Sequence, residues 1–194
     1  MEFQQLGALA LFAFVATFTP GPNNIMLMTS GANIGLLRTI PHMIGIIIGF
    51  AVMLLTVGLG LSQVFNTFPL LHDILKVASL AYLLYLAAMI AVSKPKSATQ
   101  DYRPMTLLSA AAFQWVNPKA WSMALSAISL FYTNASVSGL LFISVVFAVV
   151  TAPSVLIWTL AGTQLQKWLT SPKRTRVFNV TMALMLVGST IPMI

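Results

Sequence analysis

The chain of 194 residues contains no cysteine, and only three of its residues are acidic, against ten lysines and arginines. The absence of cysteine excludes a disulfide framework, a thiol nucleophile and a cysteine-based metal site. The three carboxylates, Glu2, Asp73 and Asp101, fall near the ends of apolar segments or between them. A catalytic acid pair or a relay of carboxylates through an apolar interior is therefore not expected, which argues against an enzyme.

Charged residues of either sign are scarce. They make up 7% of the chain, whereas hydrophobic residues make up 58%. A soluble domain usually carries about 25% charged residues. A soluble fold of this size could not cover so much apolar surface, so we expect a lipid bilayer to be its solvent. The net charge of +7 comes mainly from basic residues between apolar segments, which indicates membrane topology and not a nucleic-acid partner.

Six apolar segments are long enough to cross about 30 Å of hydrocarbon, which takes about 20 residues of helix. Alternation of apolar and polar residues with a period of two, which is typical of membrane β-strands, is absent, so helices are the expected spanning form. The sequence therefore predicts an all-α integral membrane protein with one transmembrane domain over residues 1–194. The predicted spans are 6–30, 43–65, 74–92, 105–132, 139–163 and 177–194.

The basic residues predict how these spans are oriented. Lys76 is the one basic residue expected beside loops 2–3 and 4–5, whereas eight lie in the other three loops. The positive-inside rule places those three loops in the cytoplasm and both termini outside. Three spans in each half predict an inverted repeat of residues 1–97 and 98–194, a common plan of transporters. The eight basic residues are Arg38, Lys94, Lys96, Arg103, Lys167, Lys173, Arg174 and Arg176.

Two prolines and a glycine interrupt the first predicted span. A proline inside a helix removes a backbone hydrogen bond and costs about 3 kcal/mol, and in lipid the freed carbonyls need protein or water as partners. We expect this break to line a cavity, and a simple kink for packing is the alternative. A helix that restarts after Pro22 would offer N–H groups near Asn23, Asn24 and Ile25 to a carboxylate. The ligand-binding residues predicted here are Thr19, Pro20, Gly21, Pro22, Asn23 and Asn24.

A second break lies at the matching depth of the fourth span, where Pro118 follows Pro20 by 98 residues. Paired interruptions of this kind point to a binding site near the bilayer midplane. Lys119 is the only charge placed deep in a span, and a charge there costs at least about 2.5–3.5 kcal/mol. We expect it to face a polar path, where it could bind a substrate carboxylate or cycle a proton; snorkelling to the interface is the alternative. The ligand-binding residues predicted in this span are Gln114, Asn117, Pro118 and Lys119.

Polar side chains in two other spans are weaker candidates. Tyr82 and Tyr85 in the third span are secondary candidates for the walls of the same cavity or for anchors at the membrane interface, although packing is favoured for both. Thr151 and Ser154 flank Pro153 in the fifth span, and we expect their hydroxyl groups to satisfy backbone groups that this proline frees. The two histidines lie at the ends of different spans, so no metal or cofactor is predicted.

These residues make the whole chain resemble the LysE/RhtB family of bacterial amino-acid exporters. Thr-Pro-Gly-Pro together with Asn-Pro-Lys at this spacing is specific, whereas either alone would be weak. Within the family, the overall similarity is greatest to the cysteine/O-acetylserine exporters. The segments that carry the resemblance are Phe18-Thr19-Pro20-Gly21-Pro22-Asn23, Gly31-Ala32-Asn33-Ile34-Gly35, Ala81-Tyr82-Leu83-Leu84-Tyr85-Leu86 and Gln114-Trp115-Val116-Asn117-Pro118-Lys119.

The resemblance implies secondary active export of small amino acids or their derivatives across the bacterial inner membrane, driven by the proton gradient or the membrane potential. The implied substrates are of the threonine, homoserine, cysteine or O-acetylserine type. A neutral substrate is favoured, because no carboxylate lies deep in a span to balance a cationic one. A passive channel for the same metabolites and a subunit of a larger complex are the alternatives, and a homo-oligomer is left open.

Overall fold

The computed structural model of the chain describes residues 3–61, 69–93, 105–132 and 136–188. Within these ranges the fold is helical and contains no β-strand, which confirms the all-α prediction. A π-helical turn, Val57–Leu61, continues the third helix, and a 3-10 turn, Gln114–Val116, continues the fifth. The helices are α1 (Phe3–Phe18), α2 (Pro22–Ile34), α3 (Leu36–Thr56), α4 (Pro69–Val92), α5 (Leu107–Phe113), α6 (Pro118–Phe131), α7 (Val137–Gln166) and α8 (Pro172–Gly188).

Two of the described helices are long and apolar enough to cross a membrane by themselves. They are α3 with part of its π-helical turn, Leu36–Gly60, and α7. Helices α1 and α2 together make a third candidate, bent by 56° at the break between them. Shorter apolar helices cover Val77–Val92 and Leu107–Val116. Predicted features outside the described residues are Lys94, Lys96, Asp101, Arg103 and the ends of the second and sixth spans, 62–65 and 189–194.

The helix ends at the two breaks follow from the positions of the prolines. Helix α1 ends at Phe18, and Pro22 occupies the first turn of α2, where its missing N–H costs little. In the same way, Asn117 is extended, with φ −94° and ψ 109°, and Pro118 begins α6. Each proline therefore starts a new helix, because the residue before it is driven out of the helical region.

Glycines bring the segments beside the breaks into backbone contact with the two long helices. A Cβ added at Gly31 of α2 would lie 2.2 Å from the carbonyl oxygen of Thr159 in α7. A Cβ added at Gly45 of α3 would lie 2.4 Å from the carbonyl oxygen of Leu107 in α5. Small residues permit this close approach in membrane helices. Helix α2 is thus held against α7, and α5 against α3.

Two apolar clusters lie on either side of the breaks. The first joins α1, α3, α6 and α7 and contains the ring of Phe147, whose centroid lies 5.3 Å from that of Phe50 and 6.1 Å from that of Phe12. The second joins α2, α4, α5 and α8 and contains Ile25 and Leu186. Because the first break separates α1 from α2, it lies between the two clusters.

Candidate functional site

The two helix breaks face one cavity, which α3 and α7 complete. The space open to the centre of a water-sized sphere is about 30 Å³, which suffices for water but is too small for an amino acid. Lys119 is the only charged residue among the described residues that line it. The predicted ligand-binding residues that line this cavity are Gly21, Asn23, Asn24, Gln114, Asn117 and Lys119.

The carbonyl groups freed at the first break are satisfied by side chains. The Thr17 carbonyl oxygen accepts from Asn24 Nδ2 at 2.9 Å and from Ser154 Oγ at 2.9 Å. The Phe18 carbonyl oxygen accepts from Trp158 Nε1 at 3.3 Å. Unpaired backbone groups in lipid cost several kcal/mol each. The non-helical backbone is therefore stabilised by α2 and α7 together.

Lys119 supplies the remaining donors at this break. Its Nζ donates to the Thr19 carbonyl oxygen, to Thr19 Oγ1 at 2.8 Å and to the Pro20 carbonyl oxygen at 3.4 Å. Gly21 leaves room for the lysine stem, since a Cβ there would lie 2.6 Å from Lys119 Cδ. Gly21 itself is extended, with φ −177°, so its small size and not its backbone conformation matters here. The Lys119 ammonium thus points into the first break.

A pair of amides links the two breaks directly. Asn23 Nδ2 donates to Gln114 Oε1 at 2.8 Å, and Gln114 Nε2 donates to Asn23 Oδ1 at 3.3 Å and to the Ala110 carbonyl oxygen at 2.9 Å. Gln114 is fully buried. Each amide satisfies the other in a place where an unpaired polar group would be costly. Residues 91 positions apart in the sequence therefore share one polar cluster.

The two helix starts at the breaks differ in how their N–H groups are occupied. The Asn117 side chain caps α6 by accepting from the Lys119 backbone N–H at 3.1 Å. Helix α2 starts after Gly21, which has no side chain to cap it. Ile25 is not available to a ligand, contrary to the sequence prediction, because its N–H donates to the Gly21 carbonyl oxygen at 3.0 Å. The uncapped start of α2 is left with the N–H groups of Asn23 and Asn24.

The two tyrosines are not part of the cavity lining. The Tyr82 ring packs against Phe113, with 5.9 Å between centroids, and against Tyr85, with 6.1 Å. Tyr85 is 55% exposed. The Tyr82 ring thus packs between α4 and α5, and the role of Tyr85 stays a prediction.

The sequence reasoning missed the wall that α7 contributes. Thr151 and Ser154 of α7 line the cavity. They lie beside Thr17 of α1 and apolar residues that include Ile46 and Phe50 of α3. Ser154 was expected to satisfy its own helix but bonds the Thr17 carbonyl of α1. The pair of hydroxyl residues beside Pro153 was the one signal in the sequence for this wall. It is a weak signal, because hydroxyl residues often satisfy the backbone beside prolines in membrane helices.

The sequence is similar to one protein family and to several efflux proteins. A sequence model of the LysE type translocator family matches residues 14–193, a range that includes every residue lining the cavity. The chain is 30% identical over 185 residues to the cysteine/O-acetylserine efflux protein of Escherichia coli, which covers 94% of this chain and 93% of that protein. It is 29% identical over 167 residues to the protein of that name from Klebsiella pneumoniae subsp. pneumoniae, which covers 84% of each chain. No solved structure matches.

Proposed function

Since this chain belongs to the LysE type translocator family, we propose that it is a secondary active exporter of a small, neutral amino acid or derivative across the bacterial inner membrane. The protein is a membrane transporter and not an enzyme. The observation that carries the proposal is the convergence of both helix breaks on one polar cavity that holds the Lys119 ammonium. The names of the relatives favour substrates of the cysteine or O-acetylserine type, and threonine and homoserine fit the same chemistry.

The proposed architecture is six spans in two inverted repeats, with the first and fourth spans broken. Its support is the order of elements, in which a broken helix and two further helices occur as α1–α2, α3, α4 and again as α5–α6, α7, α8. Part of the packing follows the same order: α5 lies on α3 as α1 lies on α7, and α4 lies on α8. Exchanging the two halves leaves these contacts unchanged, as a repeat requires. The close packing of α2 on α7 has only a weak counterpart between α6 and α3.

Substrate binding is proposed to exchange the partners of Lys119. A substrate carboxylate would bind the Lys119 ammonium and the uncapped start of α2, where anions are favoured. The carbonyl oxygens of Thr19 and Pro20 would then be released from Lys119 and could accept from the substrate ammonium. A second positive charge on the substrate would lack a counterion, because none of the described cavity residues is acidic. This pairing favours a neutral zwitterion.

Transport of substrate against its concentration gradient distinguishes a coupled exporter from a passive channel. We expect purified protein in proteoliposomes to accumulate labelled cysteine, kept reduced, when a membrane potential or a proton gradient is imposed. A potential of about 100 mV is worth about 2.3 kcal/mol per charge moved, which supports a concentration ratio of up to roughly 50. Empty liposomes and ionophore-treated proteoliposomes serve as controls. A protein that only equilibrates cysteine under both gradients would be a channel.

The orientation can be tested with single introduced cysteines, because the chain has none of its own. Ser138 in the first turn of α7 and Thr170, four residues after its last residue, are both exposed, and position 98 lies outside the described residues. In intact cells, an impermeant thiol reagent should label Ser138→Cys and spare Ala98→Cys and Thr170→Cys until the membrane is opened. Labelling at 98 or 170 from outside would contradict the proposed topology.

A further inference from the structure

One hydroxyl group in the cavity wall has no hydrogen-bond partner. Thr151 of α7 is 5% exposed and lines the cavity, and its Oγ1 is buried and unpaired. A threonine in a helix normally donates to the carbonyl three or four residues earlier. In the described part of the chain every other helical threonine makes that bond: Thr17, Thr29, Thr39, Thr56, Thr159, Thr163, Thr175 and Thr181.

The other polar side chains of the cavity are already engaged. Ser154 Oγ donates to the Thr17 carbonyl oxygen, and Asn24 bonds two carbonyls of the break. Asn23 and Gln114 pair with each other. A buried polar atom without a partner is unfavourable unless a water or a ligand completes it. Thr151 lines a cavity whose open space of about 30 Å³ is large enough for a water.

The position of Thr151 fits recognition of a side chain. The charged groups of an amino acid would bind at the breaks, through Lys119 and the start of α2, as proposed above. The walls formed by α3 and α7 include the apolar residues Ile46, Phe50 and Val155. An unpaired hydroxyl beside such side chains discriminates strongly, because a ligand that cannot pair with it leaves it unsatisfied.

We propose that Thr151 is a specificity-determining residue that hydrogen-bonds an oxygen or sulfur atom at the γ position of the substrate. The inference rests on the proposed export function and extends it to the substrate side chain. A hydroxyl both donates and accepts, so it can pair with a thiol, a hydroxyl or an ester oxygen. Alanine has no γ atom and would leave Thr151 with water or with nothing.

The test compares substrates that differ at the γ atom. Wild-type protein in proteoliposomes should transport labelled serine and reduced cysteine in preference to alanine. The near-isosteric Thr151→Val should lower serine and cysteine transport by roughly three- to tenfold, the worth of one neutral hydrogen bond. Alanine transport by this variant should change by less than about twofold, because alanine forms no hydrogen bond with residue 151. Thr151→Ser keeps the hydroxyl and should keep the preference.

Thr159→Val is the matched control, since Thr159 lies two turns further along α7 and its hydroxyl bonds the Val155 carbonyl oxygen at 2.7 Å. It should leave the ratio of serine to alanine transport unchanged. The proposal is overturned if wild-type protein shows no preference, if Thr151→Val retains it, or if that variant loses all three substrates equally. Wild-type protein that transports none of the three, and neither threonine nor homoserine, would refute the proposed export function, and this inference with it.

Discussion

Replacing Lys119 with alanine is expected to abolish export while leaving the protein in the membrane. Nζ of Lys119 bonds the Thr19 carbonyl, Thr19 Oγ1 and the Pro20 carbonyl, and it is the one charge among the described lining residues. Hydrogen bonds to charged groups are worth about 1.5–3 kcal/mol each. Losing the ammonium that pairs with a substrate carboxylate should therefore reduce transport by roughly 100-fold.

The measurement is efflux of labelled substrate from preloaded cells, normalised to the amount of protein in the membrane. Stability should fall only modestly, because the Thr19 carbonyl keeps the Asn24 Nδ2 donor at 2.8 Å. Lys119→Met preserves the stem that lies against Gly21 and removes the charge, so it should be as inactive as the alanine variant. Lys167→Ala, at an exposed lysine just after α7, is the control and should export normally. Full export by Lys119→Met would disprove the assigned role.

The helix starts at Pro22 and Pro118 were predictable from sequence because proline acts locally. Pro22 and Pro118 each fix the start of a helix, whatever packs around them. The polar surroundings of Lys119 were also predictable, because a charge inside an apolar run needs them, whereas its depth in the membrane stays a prediction. The direction of its side chain was not predictable, because that depends on how the second break packs against the first.

The α7 wall illustrates what a single sequence does not reveal. Thr151 and Thr159 are the same residue type on one helix, yet one hydroxyl bonds its own backbone and the other remains unpaired in the cavity. That difference depends on which face of α7 meets α1 and α3, and the sequence of α7 is apolar on all sides. The close backbone approach of α2 and α7 at Gly31 and Gly162 favours one such orientation.

The contact between α2 and α7 is the second site where a single substitution should have a large effect. A Cβ added at Gly162 would lie 2.1 Å from the Met28 carbonyl oxygen and 3.0 Å from the Ala32 nitrogen. Both are backbone atoms that cannot rotate away, so the helices must separate. Overpacking of this kind costs about 1–3 kcal/mol, whereas alanine in place of glycine gains at most about 1 kcal/mol of helix propensity. Gly162→Ala should therefore destabilise the protein.

Gly7 of α1 provides the matched control, because a Cβ added there would meet nothing within 4 Å. Gly7→Ala gains propensity without a clash and should be neutral or slightly stabilising. The measurement is the temperature of half-maximal aggregation in detergent, which should fall by several degrees for Gly162→Ala and for Gly31→Ala. Equal midpoints for Gly162→Ala and Gly7→Ala would show that the helices do not meet this closely.

The same substitutions should also impair export, since α7 carries the groups that support the first break. Ser154 and Trp158 of α7 donate to the carbonyls of Thr17 and Phe18. The lengths of these two hydrogen bonds depend on the close crossing of α7 with α2. Gly31 and Gly162 lie at the same crossing of α2 and α7. Once one alanine has separated the two helices, the Cβ of a second alanine clashes less with the facing backbone. The double variant should therefore lose less stability than the sum of the single variants, by about 0.5 kcal/mol or more. An additive loss would mean that the two glycines act at independent contacts.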